Sequence, residues 1–400
     1  MSIDIAEGYV YLDWAATAPL CEEALEAMRP YLVAGSQASL VDANANSLHS
    51  PGRKAFEALE KARKSLAAAL GATRPNEVIL TSGATEADNA AIIGLARGQV
   101  QERIRSGRAC AHPRVVISEI EHEAVAKSAE RLAREGFEIA KVPCNRQGRI
   151  GPERLSELVD EETVLVSIQA ANGEVGSVQP IEELAKIAHG CGALFHTDAV
   201  QALGKIPFNA DELGVDAATF SAHKICGPKG VGALYLRART PFDPYALGGG
   251  QESGRRSGTQ NVCGAVGFAA ACEAAVQMQP QESRRQMAMR DKLYARLRAI
   301  PGVEATMDVE QGDMAFLPSV VHVLVGGMES ETMILRLDQM GFGVSGGSAC
   351  ASHSLEPSHV LKVLGIDADR AFGALRISFG RYTQESDIDR FAEALAACIG

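Results

Sequence analysis

Short apolar runs alternate with helical patterns along the first two thirds of the chain. Strand candidates rich in β-branched residues lie at Val78–Thr81, Val115–Ser118, Val164–Ala170, Ala193–Thr197, Ala217–Ser221 and Gly232–Leu236. Between them, helical patterns run over Glu86–Gly98, Val125–Glu135, Pro152–Leu158 and Ile181–His189. A strand-then-helix rhythm predicts an α/β fold whose mostly parallel sheet carries helices on both faces. Ligands of such sheets sit at the carboxyl ends of the strands.

After about Asn261 the rhythm changes. A helical stretch from Ala265 to Leu297 is expected to break near Pro280. Strand Val320–Val325, helix Glu331–Met340, a glycine-rich turn, helix Pro357–Leu364, strand Leu375–Phe379 and helix Asp387–Cys398 follow. Ser386 and Asp389 fit a capping box for the last helix. This predicts a smaller α+β domain. We expect a large domain over residues 16–262 and a small one formed by 1–15 with 263–400.

Composition narrows the function classes. A chain of 400 residues is too long for one ordinary core. The 39 Lys+Arg against 50 Asp+Glu give a net charge of −11. Phosphate-backbone binding needs clustered positive charge, so no direct nucleic-acid partner is expected. Nine cysteines stand at wide spacings without a CxxC pair. That argues against structural zinc and against a disulfide framework, so no metal is expected. The N-terminus lacks a basic stretch followed by an apolar one, and no apolar run reads as long enough to span a bilayer. The expectation is a cytoplasmic protein without a membrane segment.

Candidate chemistry gathers at the predicted strand ends. Strand Val78–Thr81 runs into Ser82-Gly83-Ala84-Thr85 and then a helix. Backbone N–H groups at such a helix start make an anion site. Thr85 and Asp88 also match a capping box, which would make the motif merely structural. Asp198 ends a strand, where its carboxylate can hold a pyridine nitrogen protonated; a turn or cap role is the alternative. Lys224 closes the next strand, placed to hold an aldehyde cofactor as a Schiff base. Lys229, in the Gly-Pro-Lys-Gly turn, competes with it, and its expected role is structural or phosphate-adjacent. His122, just past Val115–Ser118, can stack on a ring and shuttle protons; an exposed histidine of no function is the alternative. Cys350 sits among small residues in Gly346–Ser352, where a thiolate is available unless the thiol is buried and inert.

These residues, in this order, resemble the cysteine desulfurase family of fold-type-I pyridoxal-phosphate (PLP) enzymes, which are class V aminotransferase-like. The matching stretches are Tyr11–Asp13 with Ala15–Thr17, Ser47–Arg53, Thr81–Asn89, Ile120–His122 and His196–Gln201. They continue through Ser221–Gly232, Gly248–Glu252 with Arg256–Thr259, Gly347–Cys350, Leu355–Ser358 and Leu375–Arg381. The resemblance implies a PLP-dependent transferase that takes sulfur from L-cysteine, gives L-alanine, and carries a persulfide on Cys350 for a scaffold or relay protein. Iron–sulfur cluster assembly and tRNA thiolation are both open as its purpose. It further implies a homodimer.

By the same resemblance, Lys224 would bind the cofactor covalently. Ala84, Thr85, Ser221 and His223 would hold the phosphate, joined by Thr259 from the partner subunit. Asp198 would pair with the pyridine nitrogen, Gln201 would contact the ring hydroxyl and His122 would stack on the ring. Arg376 would clamp the substrate carboxylate. Gly173 departs from the family pattern, replacing an asparagine that helps bind the ring hydroxyl. Trp14 stands near the expected site entrance, where it would narrow the pocket. Ser253 replaces an arginine and Asn44-Ala45-Asn46 an Asn-Pro-Ser run. Selenocysteine lyase, another PLP transferase and a non-catalytic scaffold on the same fold remain the alternatives.

Overall fold

The computed structural model describes residues 8–35, 42–108, 110–347 and 358–399. A short strand, β1 (Val10–Tyr11), is followed by helices α1 (Glu22–Met28) and α2 (Ser50–Leu70). Helix α2 shows how the pattern becomes structure. Its buried residues Ala55, Leu59, Ala62, Leu66 and Leu70 recur every three or four positions. His49 caps its start, Pro51 occupies the first turn, and Gly71 ends it at φ 74°.

The central sheet then forms from β2 (Val78–Thr81), α3 (Ala84–Arg105), β3 (Arg114–Ser118), α4 (Glu123–Ala133), β4 (Glu138–Val142) and α5 (Pro152–Ser156). It continues with β5 (Thr163–Ser167), α6 (Ile181–Gly190), β6 (Leu194–Asp198), β7 (Ala217–Ser221) and β8 (Gly232–Leu236). The seven strands lie in the order β2-β8-β7-β6-β5-β3-β4. All neighbours are parallel except β8, which runs antiparallel to both β2 and β7. The expected strand to Ala170 stops at Ser167, because the Gln169 N–H leaves the ladder and donates to the Glu121 carboxylate at 2.8 Å.

Helices cover both faces. Ile79, Val115, Val164 and Leu234 pack under α3 and α4, while Val78, Val116, Phe195 and Phe220 pack under α2, α6 and the start of the following long helix. Strands β5, β6 and β7 are buried at every residue, so their polar ends, Ser167, Asp198 and Ser221, are buried as well. Edge strand β4 carries exposed Glu138 and Lys141, which discourage edge-to-edge pairing.

The remaining elements are α7 (Val262–Arg298), β9 (Val303–Ala305), β10 (Val320–Val325), α8 (Ser330–Gln339), β11 (Phe342–Gly343), α9 (His359–Val363), α10 (Ala368–Ala371), β12 (Ala374–Ser378) and α11 (Glu385–Ile399). Strands β12, β10 and β9 form an antiparallel sheet, and β1 pairs in parallel with β11. Val10, Leu12 and Trp14 thereby join Leu293, Val323, Phe342, Ile377 and Phe391 in one core.

The structure departs from three expectations for the helices. The break near Pro280 is absent: α7 runs for 37 residues through Pro280. Its first half is buried against the large sheet and its second half in the other core. Pro280 itself is exposed, at the stretch between them, where solvent can satisfy the carbonyl that a proline leaves unpaired. The apolarity of α7 also exceeds the sequence expectation. An 18-residue window reaches a mean hydropathy of 1.2, enough to cross a membrane by length and composition, yet 56% of that window is buried inside the protein. The Ser386–Asp389 capping box does not form. Helix α11 starts at Glu385, the Gln384 N–H donates to Asp387 Oδ2 at 2.8 Å, and Asp389 pairs instead with Lys292 and Arg296.

Candidate active site

A cleft of about 860 Å³ opens at the carboxyl ends of the central strands. One wall is the turn between β2 and α3. The Thr85–Asp88 capping box is not made. Gly83 is the N-cap, no side chain caps the helix, and Thr85 falls inside the first turn. The Glu86 carboxylate instead accepts from the Ser82 N–H at 2.6 Å and pairs with Arg256 at 2.7 Å. The first N–H groups of a 22-residue helix thus face the cleft unclaimed by a capping side chain. Gly232 makes this approach feasible, since a Cβ there would stand 2.8 Å from the Gly83 backbone and 2.6 Å from the Phe220 carbonyl. Ser221, His223 and Lys229 line the same wall. His223 Nδ1 meets Thr17 Oγ1 at 3.0 Å. Burial first, then the nearby lysines, lower its pKa to about 4, so it stays neutral.

Lys224 extends into the cleft from the turn after β7, and its amine donates to the carbonyls of Ala15 at 2.6 Å and Ala16 at 2.9 Å. Asp198 ends β6 on the cleft floor, with Oδ1 accepting from the Val200 N–H at 2.9 Å. Burial raises its pKa, while His122, that N–H and Lys224 draw it back down. Asp88 lies wholly buried nearby, pushed well above the carboxylate range by burial and by Asp198. Burial and the neighbouring Asp198 thus favour the protonated form of Asp88, while His122 and Lys224 favour the charged form of Asp198. A third acid, Glu121, is raised to about 8, chiefly by burial. Its Oε1 accepts from the Gln169 N–H, and its Oε2 has no partner among the described residues. Asp88, Glu121 and Glu174 also line the cleft; the sequence marks Asp88 only as a helix-cap partner and gives the other two no role. Their signal there was thin, because a helix-start Asp and an acid beside a histidine look like surface groups until the topology buries them.

His122 caps α4: its Nδ1 accepts from the Ala124 N–H at 3.1 Å. That bond fixes the neutral ring as the Nε2–H tautomer, and leaves Nε2 as the edge free for the cleft. Arg376, on β12, reaches the cleft from the small sheet. It is 3% exposed, with Nη2 on Asp13 Oδ1 at 2.7 Å and Nη1 on the Gly173 carbonyl at 3.1 Å. Its Nε has no partner among the described residues. Gln201 also lines the cleft. Thr259 is exposed and does not line it. Cys350 lies outside the described residues, as does Pro357 at the expected start of α9. Trp14 does not narrow the cleft. It is buried against Gly380 and Tyr382, with its ring N–H on the Tyr11 carbonyl at 3.0 Å. It belongs to the core that β1 enters, and it lines a separate small cavity that Lys224 also borders.

The chain resembles known proteins over nearly its whole length. Residues 10–391 match the family model described as aminotransferase class-V. A relative from Dictyoglomus turgidum, described as cysteine desulfurase IscS, is 40% identical over 390 residues, covering 98% of this chain and 94% of its own. A solved structure described as a NifS-like protein superposes with a TM-score of 0.85 at 36% identity, covering 97% of this chain and 98% of that one. Another, described as SspA in complex with cysteine, superposes with a TM-score of 0.78 at 31% identity, covering 94% and 100%. The chain belongs to the aminotransferase class-V family, and within it to the pyridoxal-phosphate-dependent cysteine desulfurases.

Proposed function

We propose that Cys350 takes the thiol sulfur of L-cysteine and passes it to an acceptor protein, an iron–sulfur scaffold or a tRNA-thiolation relay. The observation that carries the residue assignment is the convergence of an amine (Lys224), a carboxylate (Asp198) and an open helix start (Ala84 and Thr85) on one cleft. That set fits pyridoxal phosphate group by group. Lys224 would hold the aldehyde, Asp198 the ring nitrogen, Gln201 the ring hydroxyl, and the N–H groups of Ala84 and Thr85 with Ser221 and His223 the phosphate. When bound, the cofactor provides an electron sink for bond breaking at the substrate.

The chain's own groups do the rest. Lys224 takes the proton from the substrate α-carbon and returns it. Arg376 receives the substrate carboxylate with donors that Asp13 and Gly173 leave over. His122 offers Nε2–H to the substrate thiol. In the net step the carbon–sulfur bond of cysteine breaks and a sulfur–sulfur bond to Cys350 forms. The Cys350 thiol is oxidised to a persulfide, and the displaced hydrogen ends on the methyl group of alanine.

The solved neighbour described with cysteine supports this substrate. We assign a homodimer in which exposed Thr259 reaches the partner's phosphate site. We further assign the large domain to 16–262, the small one to 1–15 with 263–400, and the protein to the cytoplasm. The free thiols of the described cysteines support a reducing compartment. The test incubates purified protein with L-cysteine and reductant and quantifies alanine and sulfide. Equal yields of both are expected, and Cys350→Ala should keep the bound cofactor while stopping sulfur release. Alanine absent from the wild-type reaction overturns the reading; unchanged sulfide from the Cys350 variant overturns the role of that thiol.

A further inference from the structure

Behind Lys224, away from the main cleft, is a small cavity of about 70 Å³, whose lining includes Ala15, Lys205, Lys224, Cys226 and Glu282. Lys205 is a second largely buried amine, and the mechanism above does not use it. It stands four residues after Gln201 on the irregular helical turn that follows β6, where backbone bonds run from Leu203 to Ala199 and from Ile206 to Ala202. That spacing brings the two side chains together. The Lys205 amine donates to Gln201 Oε1. Gln201 Nε2 donates to the Ala15 carbonyl at 3.0 Å, and the same carbonyl accepts from Lys224.

The orientation of the Gln201 amide follows from these partners. A lysine ammonium only donates, so it must face the amide oxygen; a backbone carbonyl only accepts, so it must face the amide nitrogen. Burial, with Lys224 second, lowers the pKa of Lys205 to about 7. The neutral amine still carries N–H groups, and a reversed amide would set its oxygen against the Ala15 carbonyl. The lock therefore holds in either state. With Oε1 and one N–H engaged, Gln201 has a single N–H left to present to the cleft.

Gly173 makes room for this arrangement. A Cβ at 173 would stand 2.8 Å from Gln201 Nε2 and 3.0 Å from its Cδ and Cγ. Gln201 thus occupies the space that any side chain at 173 would need.

We propose that Lys205 is a positioning residue: it locks the Gln201 amide so that a donor, never an acceptor, faces the ring oxygen of the cofactor, in space that Gly173 leaves open. The proposal rests on the reading in which Gln201 contacts that oxygen. In this chain, one oriented glutamine does the work of an amide pair.

The test uses the holoenzyme and titrates pyridoxal phosphate onto stripped protein, following the visible absorbance band against pH. Lys205→Met should weaken cofactor binding about tenfold, the worth of one net hydrogen bond, and should move the pH at which the band changes. Lys205→Arg, which keeps a donor, should restore both. Gln201→Glu keeps the bond from Lys205 but turns an acceptor to the cleft, so it should lose as much affinity as Lys205→Met or more. Gly173→Asn should match Lys205→Met in weakening binding. Unchanged affinity and band in Lys205→Met, or wild-type behaviour in Gln201→Glu, overturns the lock. If Lys205→Met melts lower yet binds with wild-type affinity and band, the residue is merely structural and the proposal falls. A wild-type protein that takes up no cofactor overturns the underlying reading instead, a separate and visible outcome.

Discussion

The two sheets furnish the cleft in opposite ways. The seven-stranded sheet contributes backbone and buried charge: the open start of α3, the carboxylate of Asp198 and the amine of Lys224 all lie at strand ends whose neighbours are fully buried. The three-stranded sheet contributes one guanidinium, Arg376, already held by Asp13 from the N-terminal segment and by the Gly173 carbonyl from the large sheet's side. Groups fixed by topology suit a resident cofactor, which must be held in one geometry over many turnovers. A single ion pair with donors to spare suits a substrate that arrives and leaves.

Removing Lys224 should break the cofactor half outright. Lys224→Ala should cost at least about 10³-fold in alanine release, within the range for losing a positioned proton-transfer group, and should abolish the visible band. Absorbance and amino-acid analysis on one sample check both. Retained turnover would mean that the amine at the strand end is not the working group.

Arg376→Ala should instead damage the substrate half alone. Losing a charged hydrogen-bond partner is worth about 1.5–3 kcal/mol, roughly 10–150-fold in kcat/KM for L-cysteine, with cofactor affinity unchanged. Arg376→Lys should recover only part, because a point charge cannot serve Asp13, Gly173 and a carboxylate together. If Arg376→Ala sheds cofactor as readily as it loses substrate, the division of labour between the sheets fails.

Glu121 sharpens the comparison through pH. Its pKa rises from 4.5 to about 8 on burial, so the folded state holds a proton that the unfolded chain has released. Its contribution to stability is complete below about 4.5 and is lost as pH rises toward 8, at about 1.4 kcal/mol per pH unit for one proton. Glu121→Gln keeps an acceptor for the Gln169 N–H and cannot ionise. The variant should therefore gain stability relative to wild type between pH 5 and pH 8, by an amount growing with pH. Melting midpoints of both proteins at those two pH values decide it; parallel pH profiles would show that Glu121 is ionised when folded.

Much of this arrangement was legible in the sequence, for a physical reason. Strand ends in a parallel sheet are marked locally, by a β-branched run stopping at a polar or glycine residue; Asp198 sits at such a stop, and Thr85 and Lys224 follow the ends of β2 and β7 within four residues. Glu121 and Lys205 carry no such mark, and Asp88 carries only the pattern of a helix cap. Each looks like a solvated charge, and only the packing of distant segments buries it. The place of Trp14 is hidden from local sequence because it depends on distant residues: its backbone N–H reaches the Ser378 carbonyl and its ring packs against Gly380 and Tyr382. The continuity of α7 through Pro280 was hidden likewise: local propensity predicts a break, and two separate cores hold the helix together across it.

His122 offers the finest separation, since one imidazole does two jobs. Its Nδ1 caps α4, which leaves Nε2 for chemistry in the cleft that the residue lines. Asparagine is a strong N-cap but has no imidazole chemistry. His122→Asn should keep melting close to wild type while slowing sulfur release. His122→Ala should lose the cap as well, costing about 1 kcal/mol of stability. A thermal melt beside a turnover assay reads both. If the asparagine variant is as destabilised as the alanine variant, the cap is not what His122 contributes. If it turns over like wild type, the histidine is a helix cap and nothing more, and the cofactor half of the cleft works without a proton carrier at that edge.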